Sequence, residues 1–143
     1  MTQTAEESKK ALVEQLMAAW NTHDADAVAA HFAADVVNHD AQPGSPPGRE
    51  GIKFTVQPFL AAFPDLRVEA HHVLVDGDMV AFLTRISGTH TGPYADIPAS
   101  GNSLTLEGAS VIRIEDGEIA ELWSKNDNLA VMQQIGAIPT PTG

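Results

Sequence analysis

The last third of the chain carries a row of residues that can do acid/base chemistry. Glu121, Trp123 and Lys125 alternate along a predicted strand, so their side chains share one face, and Asp127 continues that face if the strand geometry persists. Charged groups in line with a Trp indicate a lined cavity, because unpaired charge in a solid core is costly. A carboxylate against an aromatic wall is partly desolvated and therefore a better base. Asp127 is thus a candidate catalytic acid/base.

Asp127 has a second interpretation, as the N-cap of a short final helix. Leu129, Met132 and Ile135 follow at helical spacing, and Gly136 suits the residue just after the helix end. A helix N-terminus and the nearby Lys125 both favour the charged form of the carboxylate. The two interpretations are compatible, since a capping carboxylate can also face a cavity.

His90 is the second catalytic candidate. It stands between two glycines in GTHTG (residues 88–92), where a predicted strand leaves the sheet. A neutral imidazole there can donate to a developing oxyanion or shuttle a proton. A histidine in a glycine-flanked turn can equally have a purely structural role.

Arg85 lies within the apolar stretch MVAFLTRIS, where an arginine needs a partner. It either holds a carboxylate or ester of a substrate, or pairs with Glu107 or Glu121 on a neighbouring strand. Arg85 and His90 are five residues apart, so in a regular strand their side chains point to opposite faces. Both reach one cavity only if the chain bulges near Gly88.

Metal and nucleotide chemistry find no support in the sequence. His39 and Asp40 are adjacent, so their side chains point to opposite faces of a strand and are unsuited to act as a catalytic dyad. His71 and His72 fail as a metal-binding pair for the same reason. No HExxH pattern, phosphate-binding glycine loop, GxSxG elbow or dinucleotide fingerprint occurs. We therefore expect no metal and no cofactor.

Composition narrows the class of protein further. The 143 residues are 43% hydrophobic and 19% charged, which is typical of a globular domain, and the net charge is −11. Such acidity disfavours nucleic acid and anionic membranes as partners. There are no cysteines, and no apolar run approaches the roughly 18 residues needed to span a bilayer. The N-terminus lacks signal-peptide features, so we expect a cytoplasmic protein.

The elements that position these residues follow from caps, periodicity and turns. A capping box at Thr4 and Glu7 starts a helix that runs to about Trp20, and Asp24 suits the cap of a short second helix carrying Val28 and Phe32. The later segments are a strand over residues 36–40, a helix over about 49–63 that contains Pro58 and Phe59, and four antiparallel strands joined in pairs by Asp-Gly turns. This is a single α+β domain over residues 1–143, with its core at about 5–136 and a tail at 137–143.

Several motifs occur together and in order along nearly the whole chain. They are NHD (38–40), AFPDL (62–66), GTHTG (88–92), IRIEDGEI (112–119) and a final W…D…QQIG (123–136). This series resembles the SnoaL-like polyketide cyclase (ester cyclase) family of the NTF2-like superfamily. The resemblance implies a cone-shaped α+β barrel with a strongly curved sheet, about three N-terminal helices and an enclosed apolar pocket, usually in a dimer or tetramer.

The resemblance also implies a reaction. Characterised cyclases of the family close the last ring of an aromatic polyketide ester by intramolecular aldol condensation, without cofactor or metal. The position of their acid/base matches Asp127, and the histidine that binds and polarises the substrate matches His90. A small apolar or aromatic carbonyl compound is the expected ligand. The candidate substrate-binding residues are Arg85, Trp123, His39, Asn38, Trp20 and Phe59.

Three alternatives remain open on the same fold. An epoxide hydrolase needs a carboxylate–Arg–carboxylate set, for which Arg113 and Glu115 have the right spacing. A ketosteroid-isomerase-like enzyme needs a tyrosine or a protonated carboxylate as oxyanion donor, and Tyr94, the only tyrosine, lies in a predicted loop. A non-catalytic binding protein needs only the pocket. Asp127 and His90 pointing into one apolar cavity would favour catalysis, whereas an Asp127 that only caps a helix and faces solvent would argue against it.

Overall fold

The computed structural model describes residues 4–139, so the predicted tail at 137–143 lies partly outside the described residues. The helices are α1 (Ala5–Asn21), α2 (Ala25–Ala29), α3 (Arg49–Ala62) and α4 (Asn128–Gln134). The strands are β1 (Phe32–Asn38), β2 (Arg67–Asp76), β3 (Met79–Thr89), β4 (Ser103–Glu115) and β5 (Glu118–Asn126). No helix in this part of the chain has the length and apolar character needed to cross a membrane.

The helix starts follow the predicted caps. The Thr4 hydroxyl accepts from the Glu7 N–H at 3.1 Å, and the Glu7 carboxylate accepts from the Thr4 N–H at 3.4 Å, so the capping box is confirmed. The Asp24 carboxylate accepts from the N–H groups of residues 26 and 27 and begins α2 as predicted. Pro58 lies inside α3.

The five strands form one curved sheet in the order β1-β5-β4-β3-β2. The β4–β5 hairpin turns at Asp116 (φ 53°) and Gly117 (φ 78°), the left-handed conformation at both positions that an Asp-Gly hairpin turn requires. β1 runs parallel to β5, with Phe32 opposite Ile119 and Asn38 opposite Leu122. The sequence pattern was misleading for Phe32: its spacing from Val28 suits a helix, but pairing with β5 places it at the start of β1.

The strand directions place the segments that follow β1, β3 and β5 towards the same end of the sheet. β1 is parallel to β5, while β3 and β5 are both antiparallel to β4, so β1, β3 and β5 all run the same way. Their C-terminal ends therefore share an edge. Asp40 follows β1, His90 follows β3, and Asp127 follows β5. The topology thus gathers most of the chemistry-bearing residues of the sequence at one end of the domain.

The two faces of the sheet have different neighbours. On β3 and β4, and on β5 from Glu121 onward, even-numbered residues such as Phe82, Ile112 and Leu122 face the helices, and Ile112 has no solvent exposure. Odd-numbered residues such as Arg113 and Glu121, which lie opposite each other on β4 and β5, occupy the other face. We call these the inner and outer faces.

Candidate functional site

A cavity of about 430 Å³ lies between the inner face of the sheet and the helices. Its wall is mainly apolar and includes side chains from α1, α2 and α3 as well as the sheet. The apolar lining residues are Leu16, Met17, Trp20, Val28, Phe32, Ile52, Val56, Phe59, Val68, Phe82, Ile86, Leu106, Ile112, Leu122 and Val131. This volume is within the range of small-molecule sites.

Small and polar residues on the inner face leave the space that the cavity occupies. Ser110 and Ser124 stand opposite each other on β4 and β5, with their hydroxyls 3.4 Å apart. Gly108 has no side chain, and a Cβ there would lie 2.0 Å from the Asn126 side-chain oxygen. Gly108 therefore makes room for the Asn126 amide in the cavity wall.

Asp40 is the carboxylate that lines the cavity. It accepts a hydrogen bond from the Ser124 N–H at 2.8 Å and a second from the Lys125 ammonium, which join the end of β1 to the end of β5. The Lys125 hydrogen bond, with that of Ser124, holds the pKa of Asp40 below its ordinary value. Asp40 is consequently ionised and committed to two donors, which makes it a weak base.

Asp127 caps α4, as one of its two predicted interpretations requires. Its carboxylate accepts from the Ala130 N–H at 3.0 Å, and the residue is exposed. It does not line the cavity, although its neighbours Asn126 and Asn128 both do. In this conformation the carboxylate lies at the rim of the cavity and not inside it.

The rest of α4 is firmly attached to the sheet. Val131 and Ile135 are buried, and the Gln134 side chain pairs with the backbone of Thr105, accepting from its N–H at 2.7 Å and donating to its carbonyl at 2.8 Å. β4 pairs with β5 only from Gly108 onward, so the Gln134 amide replaces the missing strand at Thr105. The residues between β5 and α4 are thereby fixed at the cavity edge.

His90 is completely buried beside the cavity. Its Nδ1 accepts from the Ser100 N–H at 3.1 Å and lies 2.8 Å from the Ser100 hydroxyl, while its Nε2 has no hydrogen-bond partner among residues 4–139. Its ring packs on Phe63 with centroids 5.5 Å apart. His90 is not part of the cavity wall as described above, so Asp127 and His90 do not point together into one cavity.

Three of the predicted substrate-binding residues do line the cavity. Trp20 on α1 and Phe59 on α3 contribute aromatic walls, and Asn38 lies at the end of β1. The Asn38 side chain accepts from the Asp40 N–H at 3.0 Å, which shapes the turn that brings Asp40 to the cavity.

Trp123 and His39 do not line the cavity. Their rings stack on each other, with centroids 4.5 Å apart and planes 6° from parallel. The charged row that includes Glu121 and Trp123 does share one face, but that face is the outer one. The interpretation as a cavity lining was therefore wrong for Glu121 and Trp123, because the inner positions of β5 are Leu122 and Ser124. Lys125, at the end of the row, does line the cavity.

Arg85 also lies on the outer face. Its guanidinium is 3.2 Å from the Glu107 carboxylate and 3.7 Å from that of Glu69. The β3–β4 pairing runs unbroken from Met79 to Thr89, so the bulge that would have turned Arg85 inward is absent from these two strands. Arg85 was predicted either to bind a substrate carboxylate or to pair with a neighbouring glutamate, and the structure shows the ion pair with Glu107.

The carboxylate–Arg–carboxylate set of a hydrolase is likewise on the outer face. Arg113 donates to Glu121 at 2.8 Å and to Glu115 at 3.0 Å, and Glu121 is also 2.7 Å from His39 Nε2. The hydrogen bond from Arg113, with that from His39, holds the pKa of Glu121 below its ordinary value. This network lies apart from the cavity.

Within residues 4–139, no cluster of three or more His, Asp or Glu side chains is arranged to hold a metal ion. A second depression of about 450 Å³ lies at the junction of α2 and α3. It is more open to solvent than the inner cavity, which is therefore the better candidate site.

The comparisons with known proteins agree with this fold and cavity. The family model for SnoaL-like polyketide cyclases matches residues 10–135, most of the chain. The chain belongs to the SnoaL-like polyketide cyclase family. Among curated relatives of this SnoaL-like protein, the aklanonic acid methyl ester cyclase DnrD of Streptomyces peucetius is 30% identical over 139 residues, covering 92% of this chain and 94% of DnrD.

Two solved structures show how closely the SnoaL-like fold is shared. TsrD from Streptomyces laurentii has a TM-score of 0.84 at 26% identity, covering 95% of this chain and 100% of that one. IdmH from Streptomyces antibioticus has a TM-score of 0.75 at 29% identity, covering 89% and 97%. The predicted NTF2-like α+β fold is confirmed.

The sequence analysis of this SnoaL-like chain gave too little weight to several cavity residues. Asp40 was considered only as a partner of His39, and Tyr94, weighed as the oxyanion donor of an isomerase, was given no place at the cavity. Ser110 and Ser124 were not singled out. Their even numbers, shared with Ile112 and Leu122, were the available signal, because small polar residues in register with an apolar inner face indicate a cavity.

Proposed function

We propose that this protein catalyses an intramolecular aldol ring closure of a polyketide-type ester, by side-chain acid/base chemistry and without a cofactor. The observation that supports this most is the apolar cavity of about 430 Å³ with polar groups at one end, in a chain of the polyketide cyclase family. A fused aromatic ligand fits such a wall, and the polar end suits its carbonyl oxygens. The name of DnrD makes aklanonic acid methyl ester the first substrate to test.

Asp127 remains the proposed acid/base. It stands between two cavity residues, Asn126 and Asn128, and one hydrogen bond to the Ala130 N–H anchors its carboxylate. The proposed role requires this side chain to leave the Ala130 N–H and turn towards the cavity. Asp40 is the competing carboxylate, but its bonds to Lys125 and Ser124 make it the weaker base.

In the proposed reaction, Asp127 removes a proton from the carbon between two carbonyl groups. The resulting enolate carbon attacks a second carbonyl carbon, a C–C bond forms, and the C=O π electrons become an alkoxide. Asp127 then returns the proton to that alkoxide. The proposed role of His90 is to polarise a substrate oxygen through its unpartnered Nε2. Because His90 is completely buried and does not line the cavity, this contact requires a movement of the side chains between them.

The test is ring closure of aklanonic acid methyl ester and a panel of related polyketide methyl esters by the Asp127→Asn variant, followed by chromatography. Loss of a general acid/base typically costs about 10²- to 10⁴-fold in rate. Asp40→Asn is the matched control and should lose less. Undiminished closure by Asp127→Asn would contradict the acid/base role, and a larger loss in Asp40→Asn would transfer the role to Asp40.

A non-catalytic binding protein is the second candidate, and the exposed, capping position of Asp127 favours it. Such a protein would bind the same esters in the same cavity without converting them. Calorimetric binding with no product after prolonged incubation would establish this alternative and exclude the cyclase.

We also propose that the chain self-associates through the outer face of the sheet and is located in the cytoplasm. Leu74 lies opposite Ala81, two positions from Leu83, so these two leucines are close together on that face, and they expose 68% and 41% of their surface. Light scattering should show a dimer or tetramer that Leu83→Glu dissociates. A monomeric wild-type protein would contradict self-association.

A further inference from the structure

The loop after β3 holds Tyr94 in a defined position. The N–H groups of Thr91 and Gly92 both donate to the Ala62 carbonyl at the end of α3, at 3.2 and 3.1 Å. A Cβ on Gly92 would lie 2.2 Å from the Ala61 carbonyl oxygen, so only glycine allows this close approach. Tyr94 and Ile97 then exchange two backbone hydrogen bonds of 2.9 Å. The loop backbone is therefore fixed against α3.

The Tyr94 ring packs between two phenylalanines and forms part of the cavity wall. It meets Phe59 edge-on at 5.8 Å and lies 6.2 Å from Phe63, measured between ring centroids. Its hydroxyl makes no hydrogen bond to any other residue within 4–139. Burial raises the pKa of Tyr94, so the phenol keeps its proton at neutral pH and remains a donor.

Other hydroxyls of the cavity wall are less suited to this role. Thr55 already donates to the Gly51 carbonyl of its own helix at 3.2 Å, and Ser110 and Ser124 pair with each other. Thr84 is also uncommitted, but an aliphatic hydroxyl is a weaker acid than a phenol and so a weaker donor to developing negative charge.

We infer that Tyr94 is a further catalytic residue, whose phenol donates a hydrogen bond to the substrate oxygen that becomes the enolate oxygen. The inference rests on the proposed function and adds an oxyanion donor to it. When the base removes the C–H proton, the electron pair moves onto this oxygen, and Tyr94 stabilises the charge while keeping its own proton. The fixed loop and the two aromatic neighbours hold the donor in place before the charge develops, which is the arrangement that stabilises a transition state.

Ligand binding tests the donor without requiring turnover. Anthraquinone-2-sulfonate and anthracene-2-sulfonate differ only in two carbonyl groups, so the ratio of their dissociation constants reports hydrogen bonding to oxygen. Titration calorimetry should show that Tyr94→Phe weakens anthraquinone-2-sulfonate about tenfold and anthracene-2-sulfonate less than about twofold. Thr55→Val is the matched control and should leave the ratio as in the wild type. An unchanged ratio in Tyr94→Phe would overturn the inference.

Kinetics provide the second measurement. With an ester that the wild-type protein cyclises, Tyr94→Phe should lower kcat by about 100-fold, the typical cost of one oxyanion donor, and change KM by much less. A normal kcat in Tyr94→Phe refutes the inference and leaves the proposed function intact. Conversely, a Tyr94-dependent ketone preference in a wild-type protein that never closes a ring refutes the proposed function and the catalytic role of Tyr94, but confirms its phenol as the hydrogen-bond donor to a bound carbonyl.

Because Tyr94 is the only tyrosine, growth with 3-fluorotyrosine alters this residue alone and avoids a folding-impaired variant. A more acidic phenol donates a stronger hydrogen bond, so affinity for anthraquinone-2-sulfonate should rise while affinity for anthracene-2-sulfonate stays the same. Equal affinity of the labelled and unlabelled proteins for the anthraquinone would count against the phenol as a donor.

Discussion

The inner and outer faces of β4 and β5 are built from alternating residues of the same two strands, yet they serve different purposes. On the inner face, Ile112 and Leu122 surround an apolar cavity. On the outer face, Arg113 and Glu121, one position away in each strand, form an ion pair at 2.8 Å. Substitutions on the inner face disturb packing or ligand space, whereas the exposed ion pairs of the outer face can exchange their partners for water.

The largest expected difference between the faces is in stability. Ile112→Ala removes buried methyl groups from the inner face and should lower the free energy of unfolding by about 3 kcal/mol. Val111→Ala, the neighbouring residue on the outer face, should cost less than about 1 kcal/mol. Urea denaturation of both variants measures the difference. Equal losses would mean that the two faces are not energetically distinct.

The next difference is in ligand binding. Ser110→Phe fills the cavity from the inner face, whereas Val111→Phe adds the same ring to the outer face. We expect Ser110→Phe to weaken anthraquinone-2-sulfonate by at least about tenfold, or 1.4 kcal/mol, and Val111→Phe to bind it normally. Calorimetry checks both. Normal binding by a folded Ser110→Phe protein would place the ligand elsewhere.

The two faces also show which parts of the structure could be predicted from the sequence and which could not. The caps at Thr4 and Asp24 and the Asp116-Gly117 turn depend on neighbouring residues only, so local rules predict them. The alternation of Glu121, Trp123 and Lys125 was visible, but not which side of the sheet would be covered. Trp123 and Leu122 are both apolar, and the choice between their faces depends on where three helices pack.

The candidate site was less predictable because its contacts join distant parts of the chain. Asp40 reaches Ser124 only after β1 pairs in parallel with β5, a pairing that no local pattern indicates. Family resemblance supplied Asp127 and His90 as positions, but a motif does not specify side-chain direction. Tyr94 is at the cavity because Gly92 packs on α3, and a single glycine in a sequence does not reveal its neighbour.

A smaller effect on stability is expected when Asp40, which links the ends of β1 and β5, is substituted. Its pKa is lowered in the folded state, so its contribution to stability is present above the unfolded value of about 3.9 and is lost as pH falls through the folded pKa. Asp40→Asn should therefore be less stable than the wild type at pH 7, by about 1 kcal/mol or less because the pair with Lys125 is near the surface.

Thermal unfolding of wild type and Asp40→Asn between pH 7 and pH 2 measures this dependence. The gap in Tm should narrow steadily at acidic pH, and Asp35→Asn, an exposed aspartate of β1, gives the background. A gap that widens with acid would show that Asp40 is not held as an ion in the folded protein.

The smallest effect is expected at Arg85, and it tests the separation of the faces most directly. Arg85 was a predicted substrate-binding residue, but its side chain is 51% exposed and pairs with Glu69 and Glu107 on the outer face. Arg85→Met keeps the length of the side chain and removes the charge. Because exposed ion pairs contribute little, unfolding free energy should change by less than about 0.5 kcal/mol. Affinity for anthraquinone-2-sulfonate should also be preserved, since the guanidinium has no route to the cavity while β3 and β4 stay paired in register. A tenfold loss of affinity would mean that the outer face takes part in binding, and the assignment of ligand binding to the inner-face residues alone would be wrong.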